Sequence, residues 1–292
     1  MSKIKYKDLT SLNYTPSKGI KIFHYCNKKT FWSICKNKSI WLSSIFSMND
    51  SKELSWGRDI LTEVLKKHRD EFQQEFRIQL IFIVFSIEKN LLPLIASFSG
   101  DGDLLSQWRA YADDGKGFSI GLDASYINDY FPVRLKKVLY NQKEQKRLLF
   151  YSLKTFHKYW ILNNNKFSGA LLEVLIEFSV DIASLKNPTF FEEKEIRLIH
   201  LLHKENGNWV DSGGHNSQKD VIPSESVLYR KSRSNNPDVP YINVSFSYCK
   251  NNIVKEVIIG PKNKMSEHEL NKRLKSLDIS EIIINKSQSS YR

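Results

Sequence analysis

The sequence predicts an α+β fold, a single domain over residues 1–292 in which a mixed central sheet carries a helical insertion at 142–187. Short β-branched and aromatic runs alternate with helical segments over the first hundred residues and again at the end of the chain. Residues 142–162 have the clearest helical periodicity in the chain. No internal repeat, low-complexity block or proline-rich linker divides the sequence, which favours one domain.

The individual elements follow from hydrophobic periodicity and from turn residues. In chain order the patterns predict a strand at 21–24, a helix at 29–38, a strand at 40–43, an N-cap segment at 48–51, a helix at 52–68, strands at 78–86 and 94–99, a helix at 104–112 and a strand at 118–122. Helices are predicted at 142–162 and 170–185, followed by a strand at 253–259, a helix at 267–277 and a strand at 281–285. The segment 203–240 contains three glycines and three prolines, and a long surface loop is expected there.

The overall composition is that of a globular protein, with 41% hydrophobic and 26% charged residues. It excludes disordered, collagen-like and coiled-coil proteins. Every apolar run is far shorter than the roughly 20 residues that cross a membrane, and the first residues lack the apolar stretch of a signal peptide. A cytoplasmic protein that does not enter a membrane is therefore expected. The cysteines Cys26, Cys35 and Cys249 form no Cys-x-x-Cys pair, which argues against a structural zinc site.

Positive charge is concentrated in two regions of the chain, whose net charge is +12. Residues 1–40 contain nine lysines and one acidic residue, and residues 134–166 contain nine lysines and arginines and one acidic residue. This distribution is expected to attract a polyanion, and nucleic acid is the leading candidate. The alternative is a solvated lysine-rich surface without a ligand.

The helix at 142–162 separates an apolar face from a cationic face when its residues are placed at about 100° intervals. Its apolar face carries Leu149, Leu153, Phe156 and Trp160. The opposite face carries the candidate nucleic-acid-binding residues Lys143, Arg147, Lys154 and Lys158. We expect this cationic stripe to follow a phosphate backbone, the alternative being the ordinary polar side of a surface helix.

The strongest local signal is the run from Phe190 to Ile199. If it forms a strand, alternation places Glu193, Glu195 and Arg197 on one face. Two carboxylates beside a guanidinium can orient a substrate hydroxyl, accept a proton or stabilise a cationic transition state. The alternative is a solvent-facing edge strand with a salt bridge.

Other polar and aromatic residues are predicted to approach a cleft beside the sheet. His24 and Tyr25 end the first strand, and Ser97 and Ser99 end a later strand, directly before the turn at 100–103. The hydroxyls and turn amides there are suited to bind phosphate or ribose. On the helix that follows, a shared face at i, i+4 and i+8 carries Asp103, Gln107 and Tyr111. The alternative for that face is the solvated side of an ordinary helix.

Two metal-binding patterns are weaker. The segment 192–194 matches the Glu-x-Lys half of a metal-dependent nuclease site, but the acidic residue expected on a preceding strand is missing, since Asp181 lies in a predicted helix. His200 and His203 would face opposite sides of a strand, with no third ligand evident. No Walker A, Gly-x-Gly-x-x-Gly, Gly-x-Ser-x-Gly or His-Glu-x-x-His sequence occurs, which disfavours nucleotide hydrolases, dinucleotide oxidoreductases, serine hydrolases and metalloproteases.

Several short segments, spread over nearly the whole chain, form a further pattern. They are Phe23 to Tyr25, Trp41 to Ser44 with Met48 to Asp50 and Glu53, Ser97 to Ser99, Leu105 to Tyr111, Gly117 to Gly121, Glu193 to Arg197, and Ile259 to Pro261 with Lys286 and Ser287. With these segments the sequence resembles the bacterial family called domain of unknown function 2971. The family name implies no function.

The layout is also similar to the His-Tyr-Glu arrangement of ADP-ribosyltransferases. A histidine lies on the first strand, a later strand ends in aromatic and serine residues, and a glutamate lies on a much later strand. This resemblance implies NAD as the substrate, with His24 on its adenosine ribose, an aromatic residue near the nicotinamide ring and a glutamate on the nicotinamide ribose. Cleavage would pass through an oxocarbenium-like state that the carboxylate stabilises.

The candidate site residues follow from these patterns and resemblances. The catalytic candidates are Glu195, Glu193 and His24. The candidates for binding NAD are His24, Tyr25, Trp41, Ser97, Ser99, Gln107, Arg109, Tyr111 and Arg197. The expected cleft is bordered by His24, Ser99, Arg109, Glu195 and Arg197.

The leading hypothesis is an NAD-dependent, ADP-ribosyltransferase-like protein that modifies nucleic acid held by the basic regions. The general association of the family implies a toxin or antiphage defence effector, for which a regulatory or antitoxin protein would be a further partner. One alternative is a non-catalytic nucleic-acid-binding module whose Glu and Arg residues only brace the sheet. The other alternative is a metal-dependent nuclease that uses Glu193 and Lys194.

Overall fold

In a computed structural model of the chain, eleven strands among the described residues form the centre of the fold. The structure describes residues 12–45, 53–167, 169–211, 226–231, 238–247, 249 and 252–291. The strands are β1 (Lys21–Cys26), β2 (Ser39–Ser44), β3 (Leu91–Ser99), β4 (Phe118–Asp123), β5 (Arg134–Lys137), β6 (Glu195–Glu205), β7 (Asn208–Asp211), β8 (Leu228–Arg230), β9 (Val239–Ser245), β10 (Val254–Ile259) and β11 (Ile283–Lys286). The helices are α1 (Lys28–Asn37), α2 (Glu53–Lys67), α3 (Gln74–Asn90), α4 (Leu105–Tyr111), α5 (Ala124–Tyr130), α6 (Gln142–Leu162), α7 (Ala170–Ile182) and α8 (Glu267–Lys275).

These strands belong to one open sheet that branches at β3. Along its main path the strand order is β11-β10-β4-β1-β3-β2-β9-β8. The other edge of β3 pairs along its whole length with β6, from Leu91 opposite His203 to Ser99 opposite Glu195. β6 also pairs with β5 and β7. The pair β10–β11 is parallel and β3–β6 is antiparallel, so the sheet is mixed, as the sequence predicts.

The branch leaves a split between β1 and β2. β1 pairs with β3 at Ser99, and β2 pairs with β3 at residues 94–95. Among the described strands, residues 96–98 of β3 therefore have no ladder partner on that edge. Backbone groups without a ladder partner need other hydrogen-bond partners, which draws side chains into the split.

Two large hydrophobic clusters hold the helices in place. The first lies between the sheet and α1, α5 and α8, and includes Phe31 and Leu270. The second joins α2, α3, α6 and α7 into a helical layer. Its fully buried residues on α6 are the four that helical periodicity predicts, Leu149, Leu153, Phe156 and Trp160. Burial of each such side chain contributes about 1.5–3 kcal/mol, so packing accounts for the stability of this layer.

The strand predicted at 78–86 is wrong, because these residues lie in α3. Phe76, Leu80 and Val84, spaced at i, i+4 and i+8, are buried in the helical layer. Ile78 and Phe82 are 60% and 72% exposed. Apolar side chains therefore occur on both faces of the helix, and the helical periodicity is not visible in the sequence. The remaining signal is the β-branched and aromatic composition, which is typical of a strand.

Two further predictions are corrected at the ends of β6. The strand predicted across 190–199 begins only at Glu195, because Pro188–Glu193 forms a 3-10 helix and Lys194 has a left-handed backbone with φ 48°. The surface loop predicted at 203–240 contains β7 and β8, since the chain turns back after β6 as a hairpin. Residues 212–225 and 232–237 of that segment lie outside the described residues, as does the predicted N-cap segment at 48–51.

The other predicted elements are present within a few residues of their expected bounds. Asn27 caps α1 by accepting a hydrogen bond from the backbone N–H of Thr30 at 2.8 Å, and Asn141 caps α6 in the same way. The three cysteines are free thiols. Within the described residues, every helix is too short or too polar to cross a lipid bilayer.

Candidate functional site

A cavity of about 540 Å³ opens at the split between β1 and β2. Small-molecule sites in proteins have volumes of roughly 300–1,000 Å³, so this cavity has the size of a ligand site. Its walls come from β1, β2, β3, α4, the segment between α7 and β6, the first residue of β6, and β8. It is lined by Phe23, His24, Tyr25, Trp41, Ser43, Ile95, Ala96, Ser97, Phe98, Gln107, Tyr111, Lys186, Phe190, Glu193, Glu195 and Arg230.

His24 extends from β1 into the split and supplies a hydrogen bond that the β3 ladder lacks. Its Nδ1–H donates to the carbonyl oxygen of Ser97 at 3.1 Å, and its ring packs on Phe98 with 5.4 Å between the ring centroids. Burial lowers the pKa of His24, and the hydrogen bond to Ser97 opposes this effect only in part. The imidazole is therefore neutral at pH 7, with Nδ1 as the donor and Nε2 as an acceptor.

Glu195 is a buried carboxylate at the first position of β6. Arg197, two residues later on the same face, donates to its two oxygens at 2.9 and 3.0 Å. Ser97 Oγ donates to Oε1 at 2.7 Å, and Lys186 Nζ donates to Oε2 at 3.0 Å. Burial alone raises the pKa of Glu195, but the charges of Arg197 and Lys186 outweigh burial and lower this pKa to about 2. Glu195 is therefore ionised at neutral pH.

Lys186 connects Glu195 to a second carboxylate, that of Glu193. Its Nζ lies 2.5 Å from Glu193 Oε2, and Tyr111 Oη donates to Glu193 Oε1 at 3.4 Å. The charges of Lys186 and Arg197 balance those of the two glutamates. The four side chains thus form a network of fixed charges with no net charge at the cavity floor. Charges held in place in this way can stabilise a charge that develops on a bound ligand.

Tyr140 anchors this network to the segment that leads into α6. Its Oη accepts a hydrogen bond from the backbone N–H of Glu195 at 3.0 Å. Burial raises the pKa of Tyr140, so its hydroxyl stays protonated at neutral pH. The first residue of β6 is held through its backbone as well as through its carboxylate.

Trp41 and Gln107 are lining side chains with capacity left for a ligand. The indole of Trp41 is 47% exposed, and its ring contacts Tyr241 with 4.6 Å between the centroids. Gln107 is 8% exposed, and its amide makes no hydrogen bond to another described residue. Buried polar groups nearly always have a hydrogen-bond partner, and a ligand in the cavity can supply one for the Gln107 amide.

Tyr25, Ser99 and the turn that follows β3 bind one another. Tyr25 Oη donates to the carbonyl oxygen of Asp101 at 3.0 Å and accepts from the backbone N–H of Leu104 at 2.8 Å. Ser99 Oγ donates to the carbonyl oxygen of Glu193 at 2.7 Å and accepts from the Asp101 N–H at 3.2 Å. The hydroxyls and amides that the sequence offered for phosphate or ribose are thus used within the protein.

The cavity brings together most of the candidate residues. Those that line it are His24, Tyr25, Trp41, Ser97, Gln107, Tyr111, Glu193 and Glu195. Three candidates do not line it, which corrects the expected cleft. Ser99 is buried beneath the turn, Arg197 is fully buried behind Glu195, and Arg109 is exposed on the outer side of α4, where its guanidinium lies 5.7 Å from the Tyr291 ring.

Sequence patterns missed Ser43, Lys186, Phe190 and Arg230. Ser43 lies in the family-like segment from Trp41 to Ser44 but was not chosen as a site residue, and Arg230 comes from a strand with no motif of its own. Lys186 carried one usable signal, since it lies between an apolar helix and the two glutamates, from where a lysine can pair with both.

The weak metal-binding patterns are occupied by structural contacts. Asp181 lies in α7 and pairs with Lys136 at 2.8 Å. His200 uses both ring nitrogens, one donating to the carbonyl oxygen of Pro132 and the other contacting Asp211, each at 2.6 Å. Within the described residues, no group of three or more His, Cys, Asp or Glu side chains has an arrangement that would hold a metal ion.

The four cations predicted to bind nucleic acid on α6 are exposed, as helical periodicity requires. Lys154 pairs with Glu71 at 3.5 Å, so part of its charge is already neutralised. Nucleic-acid binding by Lys143, Arg147, Lys154 and Lys158 stays a prediction.

A family model described as a protein of unknown function (DUF2971) matches residues 107–198. The chain is similar to this family over that segment. The segment runs from Gln107 on α4 to Leu198 on β6, so it contains Glu193 and Glu195 but not the β1 residue His24. Comparisons with curated proteins and with solved structures give no match.

Proposed function

We propose that the chain is an ADP-ribosyltransferase-like enzyme that uses NAD as a substrate and modifies nucleic acid. The observation that carries the proposal is a single cavity lined by both His24 and Glu195, which come from β1 and β6. An imidazole and a carboxylate on two walls can hold the two riboses of one dinucleotide. The cavity volume of about 540 Å³ suits a ligand of that class.

The lining residues fit the parts of NAD. Neutral His24 offers Nε2 as an acceptor for a ribose hydroxyl, and Glu195 can accept a hydrogen bond from the other ribose. The exposed ring of Trp41 offers a stacking surface for nicotinamide. Gln107 and Arg230 place an amide and a guanidinium on the cavity wall, and both groups are donors suited to a pyrophosphate.

The charge state of Glu195 defines its role. With a pKa of about 2 it is a weak base at neutral pH, so it is poorly suited to proton transfer. A fixed carboxylate stabilises positive charge on the ribose as the bond between C1′ and the nicotinamide nitrogen breaks. Nicotinamide leaves with the electron pair of that bond, a nucleophilic atom of the acceptor forms the new bond to C1′, and the proton of the acceptor passes to solvent.

A non-catalytic nucleic-acid-binding module is the second candidate, and one observation favours it. Arg197 already donates to both oxygens of Glu195, and Lys186 adds a further ionic contact. Such pairing would also serve to brace the start of β6 against the segment that precedes it, with no substrate involved. The two candidates differ in whether NAD is consumed.

Incubation of the full chain with labelled NAD and with RNA or DNA tests the proposal. We expect release of nicotinamide and transfer of label to the nucleic acid. In Glu195→Gln/Arg197→Met both rates should fall by at least about 100-fold, because a charge-stabilising group is lost. The double substitution removes the carboxylate without leaving Arg197 buried and unpaired, so the fold should be retained.

Glu256→Gln is the matched control. Glu256 is also a buried strand carboxylate with an ion-pair partner, Lys21, but it does not line the cavity. NAD that stays intact with every nucleic acid, while circular dichroism shows folded protein, would contradict the enzymatic proposal and support the binding module. Equal losses of activity in the control and in the double variant would show that Glu195 acts only through the fold.

A further inference from the structure

A second cavity, of about 270 Å³, lies between α2 and α6 and shares no lining residue with the first. We call it the α2–α6 groove. Its walls are formed by Glu63, Val64, Lys67 and His68 on and directly after α2 and by Lys143, Lys146, Arg147 and Phe150 on α6. Four of these side chains are cations that converge on one concavity from two helices.

Most of this positive charge has no counter-charge among the residues that the structure describes. Lys146 pairs with Glu63 at 2.5 Å. Lys67, Lys143 and Arg147 are exposed, and none of them has an ion-pair partner among the residues that the structure describes. Like charges held around one concavity repel each other and raise the local concentration of anions, so the groove favours an anionic ligand.

Aromatic rings alternate with these cations along α6. Phe150 lies in the groove itself, and Tyr151 is 62% exposed. Tyr151 is four residues after Arg147 and therefore about 40° from it around the helix. Cations that contact phosphates, together with aromatic rings that stack on bases, are typical of proteins that bind single-stranded nucleic acid.

We propose that the α2–α6 groove binds the phosphate backbone of a single-stranded nucleic acid. Lys67, Lys143 and Arg147 contact phosphates, and Tyr151 stacks on an unpaired base, whose face a duplex would keep hidden. This assignment changes the stripe that the sequence predicts. Lys67 joins it from α2, whereas Lys154, which pairs with Glu71, lies outside it.

The α2–α6 groove is connected to the large cavity, which His24 and Glu195 line, through the start of α6. Gln145 Nε2 donates to the carbonyl oxygen of Lys186 at 2.8 Å, and Lys186 pairs with Glu195 on the cavity floor. Tyr140, which binds the Glu195 backbone, is three residues before Lys143, at most about 11 Å along the chain. A single-stranded nucleic acid bound in the groove can therefore extend toward the cavity and serve there as the acceptor of ADP-ribose. This acceptor role rests on the proposed function.

Fluorescence anisotropy with labelled single-stranded RNA and DNA, in the absence of NAD, tests the binding. We expect Lys67→Gln/Lys143→Gln/Arg147→Gln to weaken binding at least about 100-fold at about 50 mM salt and to reduce the logarithmic salt slope by about 2, because each phosphate contact to a single strand contributes about 0.7. Tyr151→Ala should weaken binding about fivefold or more through loss of stacking.

Lys264→Gln/Lys272→Gln/Lys275→Gln is the matched control, because it removes the same charge from exposed lysines at and before α8. We expect it to change the affinity less than about threefold, since distant surface charges are screened. Equal weakening by both triple variants would overturn the proposal, as would equal affinity for duplexes, or binding of anionic phospholipid vesicles but not of oligonucleotides. Oligonucleotide binding through the groove with no consumption of NAD would retain this inference and refute the transferase.

Discussion

Two buried ion-pair networks lie side by side on β5 and β6, and they differ in what lies in front of them. Glu195 lies on the floor of the large cavity, and Arg197 pairs with it from behind, fully buried. Lys136, directly opposite Arg197 in the β5–β6 ladder, pairs with Asp181 at 2.8 Å and donates to Asn13 at 2.6 Å. Lys136 and Asp181 are 0% and 1% exposed, and neither of them lines the large cavity or the α2–α6 groove.

The comparison separates a structural ion pair from a candidate functional one. Removal of two charges from water is costly, and close pairing with further hydrogen bonds offsets that cost in both networks. A sealed pair can act only on folding. A pair that lines a cavity can act on folding and also on a ligand, which is why perturbed carboxylates in clefts indicate functional sites. Substitutions in the two networks should therefore give different combinations of stability and activity.

The largest expected effect is that of Asp181→Asn. The substitution leaves the Lys136 ammonium buried without its counter-charge, and we expect the free energy of unfolding to fall by about 3–5 kcal/mol in urea denaturation. NAD consumption by the molecules that remain folded should not change.

Lys136→Met/Asp181→Leu is the control, because it replaces both charges with apolar groups and should recover most of the lost stability. A selective loss of activity in this double variant, with stability restored, would show that the sealed pair contributes to the reaction and that the distinction between the two networks is mistaken.

The next effect is the acid dependence of stability. The pKa of Glu195 is lowered from its ordinary value of 4.5 to about 2, so below pH 4.5 the unfolded chain takes up this proton more readily than the folded chain. The stabilisation that Glu195 provides is full above about pH 4.5 and is lost as the pH falls toward 2, roughly 3 kcal/mol in all.

Urea denaturation at a series of pH values measures this loss. Glu195→Gln/Arg197→Met should lack it, so the difference in unfolding free energy between the wild type and the double variant should change between pH 5 and pH 2. Parallel curves over that range would mean that Glu195 has an ordinary pKa in the folded protein.

The same residues indicate how far sequence reasoning reaches. The β-α-β opening and the apolar face of α6 follow from local period and composition, because each is decided by which face of an element is buried. The pairing of His24 and Glu195 across one cavity was expected from a resemblance and not from any local pattern.

The failures come from contacts that are distant in the sequence. Residues 78–86 form a helix because α6 and α7 bury one side of it, which the apolar residues on its other side conceal. Arg109 belongs to a specific motif, yet it faces Tyr291 near the end of the chain. Lys186 enters the site only because the 3-10 turn after α7 brings it against the start of β6. Local propensity carries no information on such contacts between residues that are distant in the sequence.

A smaller effect is expected for Ser97→Ala. Ser97 Oγ donates to Glu195 Oε1 at 2.7 Å, while its carbonyl oxygen holds His24 and is kept in the variant. Loss of a hydrogen bond to a charged group should lower the free energy of unfolding by about 1.5–3 kcal/mol. The substitution should also lower kcat about tenfold, because the Glu195 carboxylate is held less firmly in position, while KM for NAD should stay unchanged. Recovery of kcat in Ser97→Thr would support a positioning role, and an altered KM alone would contradict it.

The smallest expected effect separates the two ligand sites. Trp41→Ala removes an exposed ring from the cavity wall, so stability should change by less than about 1 kcal/mol, whereas loss of stacking on nicotinamide should raise KM for NAD by about 2- to 12-fold. Tyr151→Ala is its counterpart on the α2–α6 groove and should weaken oligonucleotide binding without changing KM for NAD. Each ring is exposed and lies outside the buried networks, so neither substitution should act through stability. Such opposite responses would assign NAD to the large cavity and single-stranded nucleic acid to the α2–α6 groove. An unchanged KM for NAD in Trp41→Ala would show that nicotinamide does not stack on Trp41.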